Sequence, residues 1–327
     1  MKNTKTICFQ LYFTIRAGGF LLLKFAIQDF LDDRNFKNLS PETIKSYNGT
    51  LDEFHAFCIE NEVIDTSDVR PNIIKNYLIY CKRERKNNPS SINHKLRNLK
   101  IFFNYLEEIE VYDKKTNPVK QLQYVKEDIQ IEVFSDYQIK QMLGYYRRLK
   151  TRDKAFWAYR DYTIIVVFLG TGIRLGELVN LQWRHINLIN KNMSVFGKKR
   201  ITRSIPIAEK LVKELAEYQI FCQQYFNNLS EYVFTDNQNK PLTRNAVQCI
   251  FKRLKDIMNF KNVRLSSHTF RHTFAHRCLV NGMDVFTLQK LLGHQKLEQT
   301  MKYVALWGTA IKEVAEKHNP LNNMDFI

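Results

Sequence analysis

The residue types best suited to chemistry cluster in the last quarter of the sequence. His268 and Arg271 sit three apart in His268-Thr269-Phe270-Arg271-His272, His294 follows Leu292-Gly293, and Tyr303 lies nine residues past His294. After Tyr232, Tyr303 is the one remaining tyrosine. Far upstream, Arg174 stands in Gly170-Thr171-Gly172-Ile173-Arg174-Leu175-Gly176-Glu177-Leu178, and Lys198 in the basic run Gly197-Lys198-Lys199-Arg200. Cations for phosphate oxygens, an imidazole to carry a proton and a phenol are the parts needed for a tyrosine oxygen to attack a phosphodiester.

Each residue has a functional and a plainer reading. Arg174 follows a Gly-Thr-Gly turn at a helix start, where a planar guanidinium can hold two phosphate oxygens. Glu177, three residues on, shares its helix face; the plainer reading is a surface ion pair. Lys198 and Lys199 both lie in a basic turn between two strand-like runs, and either is placed to act as a general acid or simply to grip backbone phosphate. His268 and Arg271 are one helical turn apart and point the same way. His268, His272 and His276 recur every four residues, a pattern that could also form a metal edge, but no carboxylate or cysteine nearby completes one. His272 then reads as a packed, hydrogen-bonded support. His294 beside Gly293 reads as a helix-end residue or as part of the site. For Tyr303, nearby cations are expected to lower the phenol pKa.

The set Arg174, Lys198, His268, Arg271, His294 and Tyr303, in this order and local context, resembles the tyrosine recombinases (phage integrase family). The resemblance spans roughly residues 22–310. Leu39-Ser40-Pro41-Glu42-Thr43-Ile44 and Phe102-Phe103-Asn104-Tyr105-Leu106 resemble the family's helical core-binding domain. The resemblance implies that Arg174 and Arg271 clamp the scissile phosphate. It implies that His268 bonds the phosphate or exchanges a proton with Tyr303, and that His294 contacts the phosphate beside the nucleophile. Lys198, with Lys199 as the other choice, would protonate the leaving 5′ oxygen. Tyr303 would form a 3′-phosphotyrosine with neither ATP, metal nor any other cofactor. Double-stranded DNA is the implied partner, with a homotetramer on synapsed DNA and no membrane. Other readings are a type IB topoisomerase-like nicking-closing enzyme and a catalytically inactive DNA-binding protein. With no arm-type DNA-binding segment recognisable ahead of Leu22, a simple Xer-like or transposon-borne recombinase is expected.

Composition agrees with such a partner. Fifty Lys+Arg against 33 Asp+Glu give a net charge of +17, which favours a polyanion. Hydrophobic residues make up 44%, enough for cores and against wholesale disorder. The six cysteines are scattered with no C-x-x-C pair, as in a reduced, cytoplasmic protein, and no apolar run is long enough to span a bilayer.

The elements that must position the site read as mainly α with a small antiparallel β-sheet, a two-domain DNA clamp. Residues 1–20 mimic a signal peptide but are interrupted by Arg16 and read as an extension outside the folded unit. Residues 21–118 read as a helical core-binding (SAM-like) domain. In it Phe25, Ile27, Phe30 and Leu31 share one apolar face, Ser40-Pro41 opens a second helix, Ser67 or Asp68 opens a short element, and Ser90 or Ser91 starts a fourth. Residues 119–133 read as a linker and 134–327 as a catalytic domain with a C-terminal tail. In that domain Ser135 caps the first helix, Tyr159–Leu169 is buried, and Met193–Phe196 and Arg203–Ile207 are strands around the Lys198 turn. Lys82–Lys86, Arg147–Lys150 and Lys252–Lys255 are candidate DNA-backbone contacts. The tail carries Leu306, Trp307, Ile311 and Val314, apolar enough to be buried on its own domain or on a neighbouring protomer.

Overall fold

The computed structural model describes residues 21–127, 131–197, 202–304 and 316. The expectations for residues 1–20, Lys198, Lys199 and the tail from Leu306 lie outside the described residues. The chain divides into two compact units, Met1–Ile129 and Gln130–Ile327. Among the described residues no helix is long and apolar enough to cross a membrane.

The first unit is built from α1 (Leu23–Phe36), α2 (Pro41–Glu60), α3 (Pro71–Arg83) and α4 (Pro89–Glu108), with a 3-10 turn at Thr66–Asp68. Three of these helices begin with proline, whose missing N–H costs nothing in the first turn. The Ser40 side chain accepts from the Thr43 N–H, and Asn88, not Ser90 or Ser91, caps α4 by accepting from the Ser91 N–H. Asp65 caps the 3-10 turn in the same way through Ser67. Asn88 and Asp65 each stand just ahead of the positions expected to start these elements. Phe30, Phe54, Phe102 and Phe103 are fully buried and meet one another or Tyr77 edge-on. Phe25 does not join them: it is 52% exposed. At 100° per residue it falls on the far side of α1 from Ile27, Phe30 and Leu31. The segment read as a linker is packed chain at both ends. Val119 is buried in the first unit, and Asn93 bonds the Val125 backbone on both sides. At its other end Glu132 accepts the Arg264 N–H at 2.6 Å, just ahead of Phe134, which is buried in the second unit.

The second unit is organised around one helix. Its helices are α5 (Asp136–Asp153), α6 (Phe156–Thr171), α7 (Leu175–Val179), α8 (Glu209–Phe226), α9 (Arg244–Met258), α10 (Ser267–Val280), α11 (Val285–Leu292) and α12 (Glu298–Val304). Helix α6 is apolar nearly all round and packs against α5, α8 and α10, as a core helix must. Ser135 and Gln138 form a reciprocal capping box at the start of α5. A three-stranded antiparallel sheet runs β1 (Ile186–Asn187), β2 (Asn192–Phe196), β3 (Thr202–Pro206) in that order, with Met193 opposite Ile205 and Phe196 opposite Thr202. The fold is mainly helical with this small sheet.

Candidate active site

Three arginines converge on the C-terminus of α11. The last carbonyls of a helix lack intrahelical partners and carry its negative pole. Here three consecutive ones are capped by guanidinium groups. Arg203 Nε donates to the Leu291 carbonyl at 2.9 Å, Arg271 Nη2 to that of Leu292 at 2.7 Å, and Arg174 Nη2 to that of Gly293 at 2.9 Å. Gly293 can end the helix because its φ is +62°, and a Cβ there would press on Arg203 at 3.1 Å.

A second set of bonds fixes each arginine. Glu177, 6% exposed, takes two N–H bonds from Arg203 at 2.7 and 2.8 Å and one from Arg174 at 2.9 Å. Its other role is at the start of α7, where it accepts the Arg174 backbone N–H at 2.8 Å. Burial works to raise the Glu177 pKa, but the bonds from Arg203 and Arg174 outweigh it and hold the carboxyl below its usual range. Arg271 is buried and gives a further bond to the Gly172 carbonyl at 2.8 Å. Burial, and then the Arg174 charge, lower its pKa to about 10, still protonated at neutral pH. Gly172 ends α6 at φ +60°, where any Cβ would lie 2.4 Å from the Phe274 ring. Two of the five N–H groups of Arg271 are held by carbonyls and another side-chain interaction goes to the Tyr303 hydroxyl, leaving donors for an anion. The Arg174 side chain is 38% exposed and is the solvent-facing arm of the pair.

Tyr303 is 4% exposed on α12, within a small cluster of Ala275, Leu279, Leu288 and Leu292. Its hydroxyl is 2.9 Å from His272 Nδ1. The His294 ring lies nearly parallel to the phenol, with centroids 6.3 Å apart, and its Nδ1 is 2.8 Å from Thr300 Oγ1. The expectation that cations lower the Tyr303 pKa is corrected. Burial dominates and raises it, against the lowering by Arg271 and Arg174. His294 is held neutral, its pKa lowered to about 3 by burial and then by the charges of Arg271, Arg174 and Arg203. His268 is exposed; partial desolvation and then Arg271, Arg264 and Arg174 lower its pKa as well.

Arg174, Arg271, His294 and Tyr303 therefore share one site, and His268 stands one turn before His272 on α10. Lys198 lies outside the described residues, between β2 and β3. The phenol's imidazole partner is His272 and not His268: among the described residues no hydrogen bond joins His268 to Tyr303. The four-residue step from His268 to His272 carried the signal, since it puts both rings on one face. Arg203, the main partner of Glu177, had no such signal, because 26 residues separate the two. Among the described residues no group of three or more His, Cys, Asp or Glu could hold a metal ion.

Residues 132–307 match the phage integrase family, and residues 27–113 match the phage integrase N-terminal SAM-like domain. The chain is a tyrosine recombinase of the phage integrase family. A tyrosine recombinase XerC from Leptospira interrogans is 29% identical over 287 residues, covering 87% of this chain and 89% of the relative. The fold of this recombinase is also that of two solved structures. The Tn1549 transposon integrase in complex with transposon right end DNA has a TM-score of 0.69 at 18% identity, covering 86% of this chain and 94% of the other. A lambda integrase tetramer bound to a Holliday junction has a TM-score of 0.69 at 16% identity, covering 87% and 77%.

Proposed function

We propose that this recombinase cuts and rejoins duplex DNA at specific sites through a 3′-phosphotyrosine made by Tyr303, with neither ATP nor metal. The observation that carries the reading is the phenol itself. Tyr303 is buried, hydrogen-bonded at its oxygen to an imidazole, and lies in the field of Arg271 and Arg174. A phosphodiester lodged between those arginines presents its phosphorus to a nucleophile that needs little reorganisation. The arginines already balance one another against backbone carbonyls and Glu177, so their free N–H groups are aimed before the anion arrives. Charge that grows on the phosphoryl oxygens in the transition state meets fixed donors.

In this scheme His268, exposed beside Arg271, bonds a phosphoryl oxygen, and His294 packs on the phenol and closes the site. Lys198 gives a proton to the 5′ oxygen as it leaves. Residues 21–118 would grip the duplex as the core-binding domain and residues 134–327 would carry the chemistry. Four protomers would assemble on two synapsed duplexes, as the lambda integrase tetramer does on its Holliday junction. Rejoining reverses the attack with a 5′ hydroxyl from the partner duplex, so the bond energy is kept in the phosphotyrosine link.

Tyr303→Phe tests the reading with a nicked suicide duplex. The variant should form no denaturant-resistant protein–DNA adduct while binding the duplex nearly as the wild type does. A persistent adduct would overturn the assignment of the nucleophile.

A further inference from the structure

We infer that His272 is a catalytic residue of this recombinase, the group that accepts the Tyr303 proton as the phenol attacks phosphorus. The inference rests on the proposed function above and assigns a proton path within the same site. Its ground is geometric. His272 Nδ1 and the Tyr303 hydroxyl are 2.9 Å apart, a hydrogen bond already made in the free protein. His268, the nearer match to a proton carrier by sequence, is on the same face but one turn away, its ring centroid 6.5 Å from that of His272.

The bond admits two arrangements. With the ring proton on Nε2, Nδ1 accepts from the phenol and can take its proton. With the proton on Nδ1, the ring donates to the phenol oxygen and cannot. Attack requires the first. The Tyr303 O–H bond then breaks and its proton passes to Nδ1. The freed electron pair forms the O–P bond, and the P–O5′ bond breaks with its pair on the 5′ oxygen. That oxygen takes a proton from the general acid, Lys198. On rejoining, the imidazolium returns its proton to the tyrosine oxygen.

The groups facing His272 keep its ring uncharged in the free protein. His268 and Arg271 stand on its own helix, Lys302 and Tyr303 on α12, Glu132 on the segment before α5, and the neutral His294 beyond the phenol. Burial, then His268 and Arg271, lower the His272 pKa to about 4, with Glu132 pulling the other way. The ring is therefore uncharged and able to accept throughout the neutral range. A phosphodiester adds a negative charge to this cationic cluster and favours the imidazolium that the step creates.

Single-turnover cleavage of a nicked suicide duplex by His272→Asn and His272→Ala tests the inference. Asparagine keeps a hydrogen-bond acceptor near Nδ1 but cannot take a proton. Both variants should bind the half-site and cleave about 10²-fold or more slowly at pH 7, the usual worth of a general base. Their rates should climb about tenfold per pH unit in alkali as the phenol ionises unaided, and the wild-type rate should climb less. A 5′-bridging sulfur in the substrate, which needs no proton to leave, should not restore them. Wild-type-like cleavage and pH profile in His272→Asn would overturn the inference, and so would rescue by the sulfur substrate. Nitrogen NMR of histidine-labelled wild-type protein gives a check free of any variant: His272 should carry its proton on Nε2 at pH 7, and a proton on Nδ1 would sink the idea. If the wild type itself forms no phosphotyrosine adduct, the proposed function fails first. If it does and His272→Asn behaves like it, only this assignment fails.

Discussion

Glu177 shows how much of the site rests on one buried carboxylate. It holds Arg203 by two bonds and Arg174 by one, and its removal would leave two guanidinium groups facing each other without a counter-charge. Glu177→Gln should destabilise the second unit by about 3 kcal/mol, the scale of a broken buried ion pair. The same residue sets an acid limit. Its folded pKa is depressed, so the carboxylate's contribution is fully present above its ordinary unfolded value of about 4.5 and is lost as pH falls through the lower folded value. Denaturant midpoints of the wild type should drop more steeply between pH 5 and pH 3 than those of Glu177→Gln. Parallel curves for the two proteins would show that the carboxylate is not ionised in the fold. Arg174 with its i+3 glutamate was legible in sequence because both sit in one short motif. Arg203 was not, since only the tertiary fold brings β3 against α7 and the end of α11.

At the scale of elements, helix ends position the chemistry. The α6 terminus supplies the Gly172 carbonyl to Arg271, and the α11 terminus supplies three carbonyls to three arginines. Gly172→Ala would place a methyl at φ +60° and 2.4 Å from Phe274. It should destabilise by about 1–3 kcal/mol and slow cleavage through Arg271. Gly144→Ala in α5 is the control: nothing lies within 4 Å of an added Cβ, so the change should stabilise by roughly 1 kcal/mol. Urea unfolding of both variants separates the two effects, and equal loss in both would refute this account of the turn. The helices, the two main strands and the Ser135 cap were legible because periodicity and capping are local. Asn88 and Asp65 were passed over because several capping residues adjoin and only geometry chooses among them. The rise of the Tyr303 pKa was illegible for a different reason. Sequence shows charges, but burial, which outweighs them here, belongs to the folded core.

For the whole molecule, the net charge of +17 suits a polyanion, yet the basic runs are not all free to meet one. Lys150 pairs with Glu217, Arg147 donates to the Tyr162 hydroxyl, and Arg85 pairs with Glu53. Arg253 reaches Asp161, a fully buried carboxylate whose pKa burial raises against the pull of Arg160 and Arg253. A cation engaged this way neutralises a protein charge and releases few counterions on binding DNA. Duplex affinity should still fall steeply with salt, log K dropping by roughly 0.9 per phosphate contacted for each log unit. Arg253→Ala should leave that slope within error while lowering the denaturant midpoint of the second unit, because it strips a partner from buried Asp161. A slope reduced by about one would instead place Arg253 on a phosphate. The same titration in a chelator gives the second arm. Both binding and cleavage should persist in EDTA, since the charges that would meet the phosphate are the guanidinium groups already fixed around α11. Cleavage lost in EDTA and restored by a divalent ion would show that these arginines alone do not stabilise the transition state.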